Sequence, residues 1–379
     1  MRIIIAPDKF KDACSATEVC TYLTKGLRKT LPASVPILSL PLADGGEGTL
    51  DALAAITPLH FEHIQTQDAL GRPISAKYAR LQTGNCAVIE MAQASGIQQL
   101  APHERSATLS SSFGTGLLLR DALDKGCKRI FLTVGGTATN DGGMGIAKAL
   151  GVRFLDKNGQ ELEPIGQNLS RIENIDTSGL YFDPTTIQLE IATDVSNPLF
   201  GLNGAACVYA AQKGASIHQI AELDDGLQHF CTILTKEGYP SPAFLAGSGA
   251  GGGVAASLVP LLHATICSAT DWLLGYYELE SKIQKGDILI TGEGKVDRQT
   301  WEGKLICALT RVATQSNTPV CIICGMLEDL DSIPKTFPLK YLSSIIHRPL
   351  SLQEALTQTP LLLEEQGIIL GHLLTSQQS

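Results

Sequence analysis

A chain of 379 residues exceeds what one hydrophobic core commonly organises, so two domains are expected. With 44% hydrophobic and 18% charged residues it is neither disordered nor fibrous in composition. A net charge of −9 without a basic stripe argues against nucleic acid as a partner, and an anionic ligand then needs a locally positive pocket.

In chain order, the apolar stretch at Ile3, Ile4 and Ile5 is too short for a signal peptide and reads as a first strand over residues 2–7. Ser15 with Glu18 forms a capping-box signature, and Val19, Tyr22, Leu23 and Leu27 then share one helical face. A second strand is expected over 36–42. Residues 61–91 alternate short β-rich runs with LGRP and QTGN turns, which predicts an antiparallel meander rather than helices. Phe131 to Val134 reads as a strand, 135–145 as a glycine-rich loop, and Ile146 to Leu150 as the beginning of a helix.

The most apolar region, 245–274, is interrupted by glycines, Pro260, His263 and Asp271, which favours buried helix over a membrane span. Further strands are expected at 287–291, 319–324 and 341–346. Ser351 and Glu354 cap a final helix that Pro360 should kink or end. The ten cysteines show no metal-ligand clustering and suit reduced thiols in a cytoplasmic protein; Cys321 and Cys324 read as two strand thiols.

The expected fold class is α/β: a Rossmann-like parallel-sheet domain built from residues 1–60 and 271–379, with a second α/β domain, 61–270, inserted into it. A plain division near residue 200 is the competing partition. The sequence sets no oligomeric state.

Phosphoryl transfer needs donors around phosphate oxygens, carboxylates for Mg²⁺, and a group that orients the attacking hydroxyl. Neither common nucleotide scaffold is present. There is no G-x-x-x-x-G-K-[ST], and His347-Arg348 is followed by Pro349 rather than an aspartate. What does occur, twice, is DGG-x-G: once in PLADGGEGTLDAL and once in VGGTATNDGGMGIAKAL. Glycine lets backbone approach a ligand, and a following helix N-terminus offers unpaired N–H groups to an anion.

Gly135, Gly136, Thr137, Asn140, Asp141, Gly142 and Gly143 are therefore candidate nucleotide-binding residues. Asp44, Glu47 and Asp141 are candidate Mg²⁺ ligands or hydroxyl acceptors. A glycine-rich turn with a capping aspartate is the plainer alternative for either copy alone.

Three more strand ends carry chemistry. After DILITGE come Glu293, a further candidate Mg²⁺ ligand, Lys295, Asp297, Arg298, Gln299 and Thr300, where ligands bind in open α/β sheets. Lys295 would contact a phosphate and Asp297 a hydroxyl or Mg²⁺; a solvated, self-paired cluster is the alternative. Asp8, Lys9 and Lys11 end the first strand and suit a substrate carboxylate or phosphate. Asp194 and Asn197 follow the strand in IATDVSNPLFG. Gly247, Gly249 and Gly252 have G-x-G-x-x-G spacing, which fits a dinucleotide, a mononucleotide phosphate contact at Gly249, or close helix packing.

Taken together, IAPDKFK, LADGGEGT, GGTATNDGGMG, ATDVSNPLFG continuing to QKGA, and TGEGKVDRQTWEGK resemble the bacterial glycerate kinase family, in order and over nearly the whole chain. The resemblance implies ATP-dependent phosphorylation of glycerate with Mg²⁺, usually to 2-phosphoglycerate with 3-phosphoglycerate as the alternative, in a cleft between a Rossmann-like and a second α/β domain. Asp44, Asp194 and Asp297 are rival general bases, and Lys9 and Lys11 are expected on the glycerate carboxylate. The sequence departs from the family at Asp12 and Ala13, where a Gly-Ser pair often stands. The competing readings are a non-enzymatic glycerate or nucleotide sensor and a dinucleotide-dependent oxidoreductase.

Overall fold

A computed structural model describes residues 2–82, 84–301 and 305–376, without the side chains of Gln299 and Ser376. Glu302, Gly303 and Lys304, the end of the TGEGKVDRQTWEGK segment, lie outside the described residues. The chain forms two compact units: residues 1–44, 51–57 and 270–379, and residues 45–50 and 58–269.

The first unit holds a five-stranded sheet, every pair parallel, in the spatial order Leu339–Ser344, Val320–Leu327, Ile288–Val296, Ile3–Ile5, Ile37–Ser39. Numbered along the chain, that order is 2-1-3-4-5, the doubly wound arrangement in which the order reverses between the first and third strands. Both faces are covered, as a parallel sheet requires. Ile3, Ile5, Ile288, Ile290, Cys321 and Ile323 pack into one cluster with Val19, Leu23, Leu27, Leu362 and Leu363. The alternating Ile4, Leu289 and Ile322 are equally buried on the other face. Cys321 and Cys324 are two buried strand thiols, and all ten cysteines are free.

The helix Ala16–Leu27 begins with the expected capping box at Ser15 and Glu18. Pro360 does not end the last helix, which runs over Leu352–Ser376. Tertiary packing overrides the local cost. Leu362, Leu363 and Leu370 are fully buried, and Lys25 and Lys29 both pair with Glu364. The two helices touch backbone to backbone: a Cβ on Gly367 would stand 2.6 Å from the Leu23 carbonyl oxygen and 2.9 Å from Gly26 Cα.

The second unit holds a six-stranded sheet in the order Thr265–Cys267, Gln188–Ala192, Arg129–Thr133, Cys86–Glu90, Pro73–Arg80, His60–Gln67. The first four are parallel; the last two join as the antiparallel meander read from 61–91. The apolar stretch 245–274 is not one buried helix. It breaks into Ala250–Gly253, Ala255–Leu262, the strand Thr265–Cys267 and the helix Ala269–Tyr276, with left-handed backbone at Gly247, at Gly251 to Gly253 and at His263. Among the described residues no helix is long and apolar enough to cross a membrane.

Gly26→Ala would drive a methyl into the Glu364 carbonyl, whereas Gly275, also helical, has nothing within 4 Å of the added atom. Chemical denaturation of Gly26→Ala should show a loss of about 1–3 kcal/mol or more. Gly275→Ala should be neutral or slightly stabilising, and equal effects at the two positions would refute the close helix contact.

Candidate active site

The polar chemistry gathers at the carboxyl ends of the parallel strands, where strand termini leave the sheet and side chains become available to a ligand. In the first unit the reversal point lies between Ile3–Ile5 and Ile288–Val296. The amide of Asp8 donates to Gly292 O at 2.8 Å, so Asp8 is fastened beside Glu293. Asp8 is almost fully buried and accepts from the Lys9 amide at 2.7 Å. Lys9 Nζ lies 3.1 Å from Asp44 Oδ1. Burial first, then the charges of Asp44 and Glu293, push the Asp8 carboxyl up to about 8, against the lowering influence of Lys9. Three carboxylates and one lysine thus converge at the switch point. Lys11 is exposed.

The neighbouring Asp12 adopts a left-handed backbone, φ 63°. Aspartate is among the few residues with a Cβ that tolerate this conformation.

The third strand is longer than read from the sequence, continuing through Glu293 and Lys295 to Val296. Glu293 accepts from Thr300 Oγ1 at 2.7 Å. Lys295 pairs with Asp297 at 3.3 Å and Glu328 at 2.9 Å, so one exposed lysine is shared by two carboxylates.

In the second unit the two glycine loops lie against each other. Gly135 N donates to Gly45 O at 3.2 Å, and a Cβ on Gly135 would be 2.6 Å from Gly46 Cα. Gly45 to Leu50 therefore cluster with the second copy, not with the parallel sheet of the first unit. Thr49 closes its own turn through Gly46 O, and the buried Glu90 accepts from Leu50 N at 2.6 Å and from Gln93. Glu47 is exposed.

The expected helix N-terminus behind the second loop is corrected by the geometry. Its N–H groups do not wait for an external anion. Gly143 N and Gly145 N donate to the buried Asp141 carboxylate at 3.1 and 3.2 Å, and Ile146 N donates to Ser112 Oγ at 3.1 Å. Ser112 also gives Asp141 its amide and hydroxyl protons, both at 2.7 Å. Asp141 is itself the anion that this N-terminus binds. Burial still holds its pKa above the ordinary value, with these donors opposing.

Gly142 and Gly143 open no space to solvent either, since Cβ atoms there would meet Leu169 at 3.2 Å and Val254 O at 2.7 Å. Gly135 and Gly136 do reach the surface. Thr137 and Asn140 are buried, and both amide atoms of Asn140 lack a hydrogen-bond partner.

Asp194 is half-buried and accepts from Ser268 Oγ at 2.8 Å, joining the ends of adjacent strands. Asn197 braces its own loop, donating to Asn203 O and accepting from Tyr209. Among the described residues no three His, Cys, Asp or Glu side chains form a group that could hold a metal ion. The G-x-G-x-x-G glycines make room for protein. The gap at Gly249 is filled by the Pro198 carbonyl, at Gly252 by the Thr139 carbonyl, and at Gly247 by Thr193 and Val195.

Sequence reading missed Glu90, Ser112, Arg105 and Lys213. Each takes its importance from partners far along the chain; only Lys213, inside QKGA, stood in a segment already singled out.

The chain matches the model of the glycerate kinase family over residues 3–374. The chain belongs to the glycerate kinase family. It is 38% identical to a glycerate kinase of Halalkalibacterium halodurans, covering 96% of this chain and 95% of that one. It is also 38% identical to the glycerate 2-kinase of Escherichia coli strain K12, over 87% and 86%. A crystal structure from Salmonella typhimurium LT2, assigned as glycerate kinase 2, superposes with a TM-score of 0.84 at 35% identity, covering 100% of this chain and 99% of that one. As a member of the glycerate kinase family the chain is a phosphotransferase with an alcohol acceptor, and the family implies ATP as donor. This displaces the sensor and oxidoreductase readings, and the packed glycines at 247–252 remove the feature on which the latter stood.

The proton balance at Asp8 has a definite sign. Its folded-state pKa lies above its ordinary value, so the stability it supports is full at low pH and is lost as pH rises from 3.8 towards about 8. Asp8→Asn removes that slope. Without divalent cations, the melting temperature of the variant should gain on the wild type between about pH 5 and about pH 8.5; parallel curves would show that the Asp8 carboxyl is not held above its ordinary value.

Proposed function

We propose that the protein transfers the γ-phosphoryl group of ATP to O2 of glycerate, releasing 2-phosphoglycerate and ADP with Mg²⁺ as the metal. The observation that carries this reading is the convergence of Asp8, Lys9, Asp44 and Glu293 at the reversal point of the parallel sheet. Mg²⁺ in such enzymes keeps several waters and takes only one or two carboxylates besides substrate phosphates, so the lack of a three-residue cage is compatible with it. The mutual repulsion of Asp8, Asp44 and Glu293 is the electrostatic environment a dication relieves; Asp44 and Glu293 would hold it. Bound there, the metal neutralises charge on the phosphate oxygens.

The chain's own residues supply the rest. Lys9, already facing a carboxylate, binds an anionic substrate group, with Lys11 adding positive charge from the surface. In the second unit Gly136, beside the half-buried Gly135, offers exposed backbone to phosphate oxygens, while Asp141, Gly142 and Gly143 shape the loop beneath them. Asp194, held by Ser268, is the acceptor for the hydroxyl proton in this reading, in preference to Asp297, which is committed to Lys295. Asn197 and Gly249 act by fixing the loop that carries Asp194, since Gly249 N donates to Asn197 O.

Incubation with ATP, Mg²⁺ and glycerate should release ADP in a glycerate-dependent manner, and ³¹P NMR should show phosphorus coupled to the single proton on C2. Coupling to two protons would move the product to 3-phosphoglycerate. Asp44→Asn, Glu293→Gln and Asp194→Asn should each lower turnover by about 10²–10³ while Asp297→Asn changes it little. Full turnover in the first three would overturn the assignment.

A further inference from the structure

A buried charge is tolerated when a partner offsets the loss of water. Lys213 breaks this rule. It is only 3% exposed, and Nζ donates to Thr139 O at 2.7 Å with Thr137 Oγ1 at 3.5 Å, contacts that leave an ammonium with three protons short of acceptors. The carboxylate that influences it, Asp141, has its oxygens occupied by Ser112, Gly143 and Gly145.

A second basic residue packs its backbone against the glycine that follows Lys213. Gly214, in left-handed conformation, lies against Arg105, whose Cβ would be 3.2 Å from an atom added at Gly214. The Arg105 Nε is buried without a hydrogen-bond partner. Among the described residues neither cation forms an ion pair, in a chain whose net charge is −9. Asn140, adjacent to the carbonyl that Lys213 holds, adds a fully buried carboxamide with both polar atoms unpartnered. Three polar groups, the Lys213 ammonium, Arg105 Nε and the Asn140 carboxamide, are thus left with hydrogen-bonding capacity unused.

We propose that Lys213 and Arg105, with Asn140, form a binding site for an oxyanion of the substrate pair, either the glycerate carboxylate or a nucleotide phosphate. The ammonium supplies a point charge, the guanidinium a planar fork matched to two oxygens, and the carboxamide a neutral donor. An arriving anion completes the hydrogen bonding that the protein leaves open. The assignment deepens the phosphotransferase reading by naming the residues that recognise a non-reacting charged group.

The test measures binding and catalysis separately. Wild-type protein should gain thermal stability with glycerate, with ATP, and with inorganic phosphate as the simplest probe. Lys213→Met should abolish the gain for the ligand held there, and raise the KM for that ligand about thirty-fold or more. Loss confined to glycerate identifies a carboxylate site; loss confined to ATP and phosphate identifies a phosphate site. A purely structural lysine would give the opposite pattern: a lower melting temperature without ligand, and undiminished ligand-induced shifts, which would overturn the proposal. Should Lys213→Met not fold, Arg105→Gln, whose residue is half-buried, carries the same expectation, and unchanged shifts and KM values in it would be equally decisive. Binding shifts stand independently of turnover, so failure of the kinase assay and failure of this site would be told apart.

Discussion

The hydrogen bonding of the buried Asp141 carboxylate is the interaction on which the second unit's functional face depends. A carboxylate without solvent must be surrounded by donors, and here the donors come from two places: the loop's own amides at Gly143 and Gly145, and the amide and hydroxyl of Ser112. The loop is thereby folded around its own aspartate and tied to residues 29 positions earlier. That fixed path aims the Gly142 carbonyl at Ser257, the Thr139 carbonyl at Lys213, and Gly135 at Gly45. Without Asp141, three long-range contacts would lose their common anchor.

The same criterion separates structural charge from functional charge elsewhere. Arg2 with Asp287 and Arg72 with Glu104 are paired and hydrogen-bonded, and each explains itself as a brace between segments. At two places the balance fails. Asp8 meets like charges from Asp44 and Glu293, and Lys213 meets too few acceptors. Folding tolerates such imbalance where a ligand is later to correct it, which is why unsatisfied charge locates function better than charge alone.

Much of the architecture was legible because it follows from local chemistry. Capping at Ser15, the strand at Ile3–Ile5 and the meander over His60–Gln67 and Pro73–Arg80 rest on neighbours a few residues apart. What failed was decided by distant packing. Pro360 stays within a helix because Gly26 and Gly367 allow two helices to close on each other, a contact between positions far apart in sequence. The apolar stretch 245–274 breaks because its glycines admit the Thr139 and Pro198 carbonyls, which no window around residue 250 contains. For the site, strand-end acids were visible as a pattern. The distinction between an acid that faces solvent and one sealed under a loop was not, and a lone lysine in QKGA carries no local sign of burial.

The repeated DGG-x-G pattern shows how little a short motif fixes by itself. In both copies the glycines supply left-handed backbone, at Gly45 and Gly48 in one and at Gly142 and Gly143 in the other. The aspartates diverge. The Asp44 side chain is 49% exposed and faces Lys9, while Asp141 is inaccessible and serves its own loop. What differs is the partner: Ser112 stands ready to bury the second carboxylate, and the first has a lysine at the rim of a parallel sheet. One sequence motif therefore leads to opposite uses, one carboxylate facing a lysine at a strand end and the other consumed in holding backbone. The glycines then have a further role beyond either loop, because only residues without side chains let Gly135 and Gly46 approach within contact of each other. The motif itself fixes neither use; the chemistry is assigned by what each aspartate finds beside it.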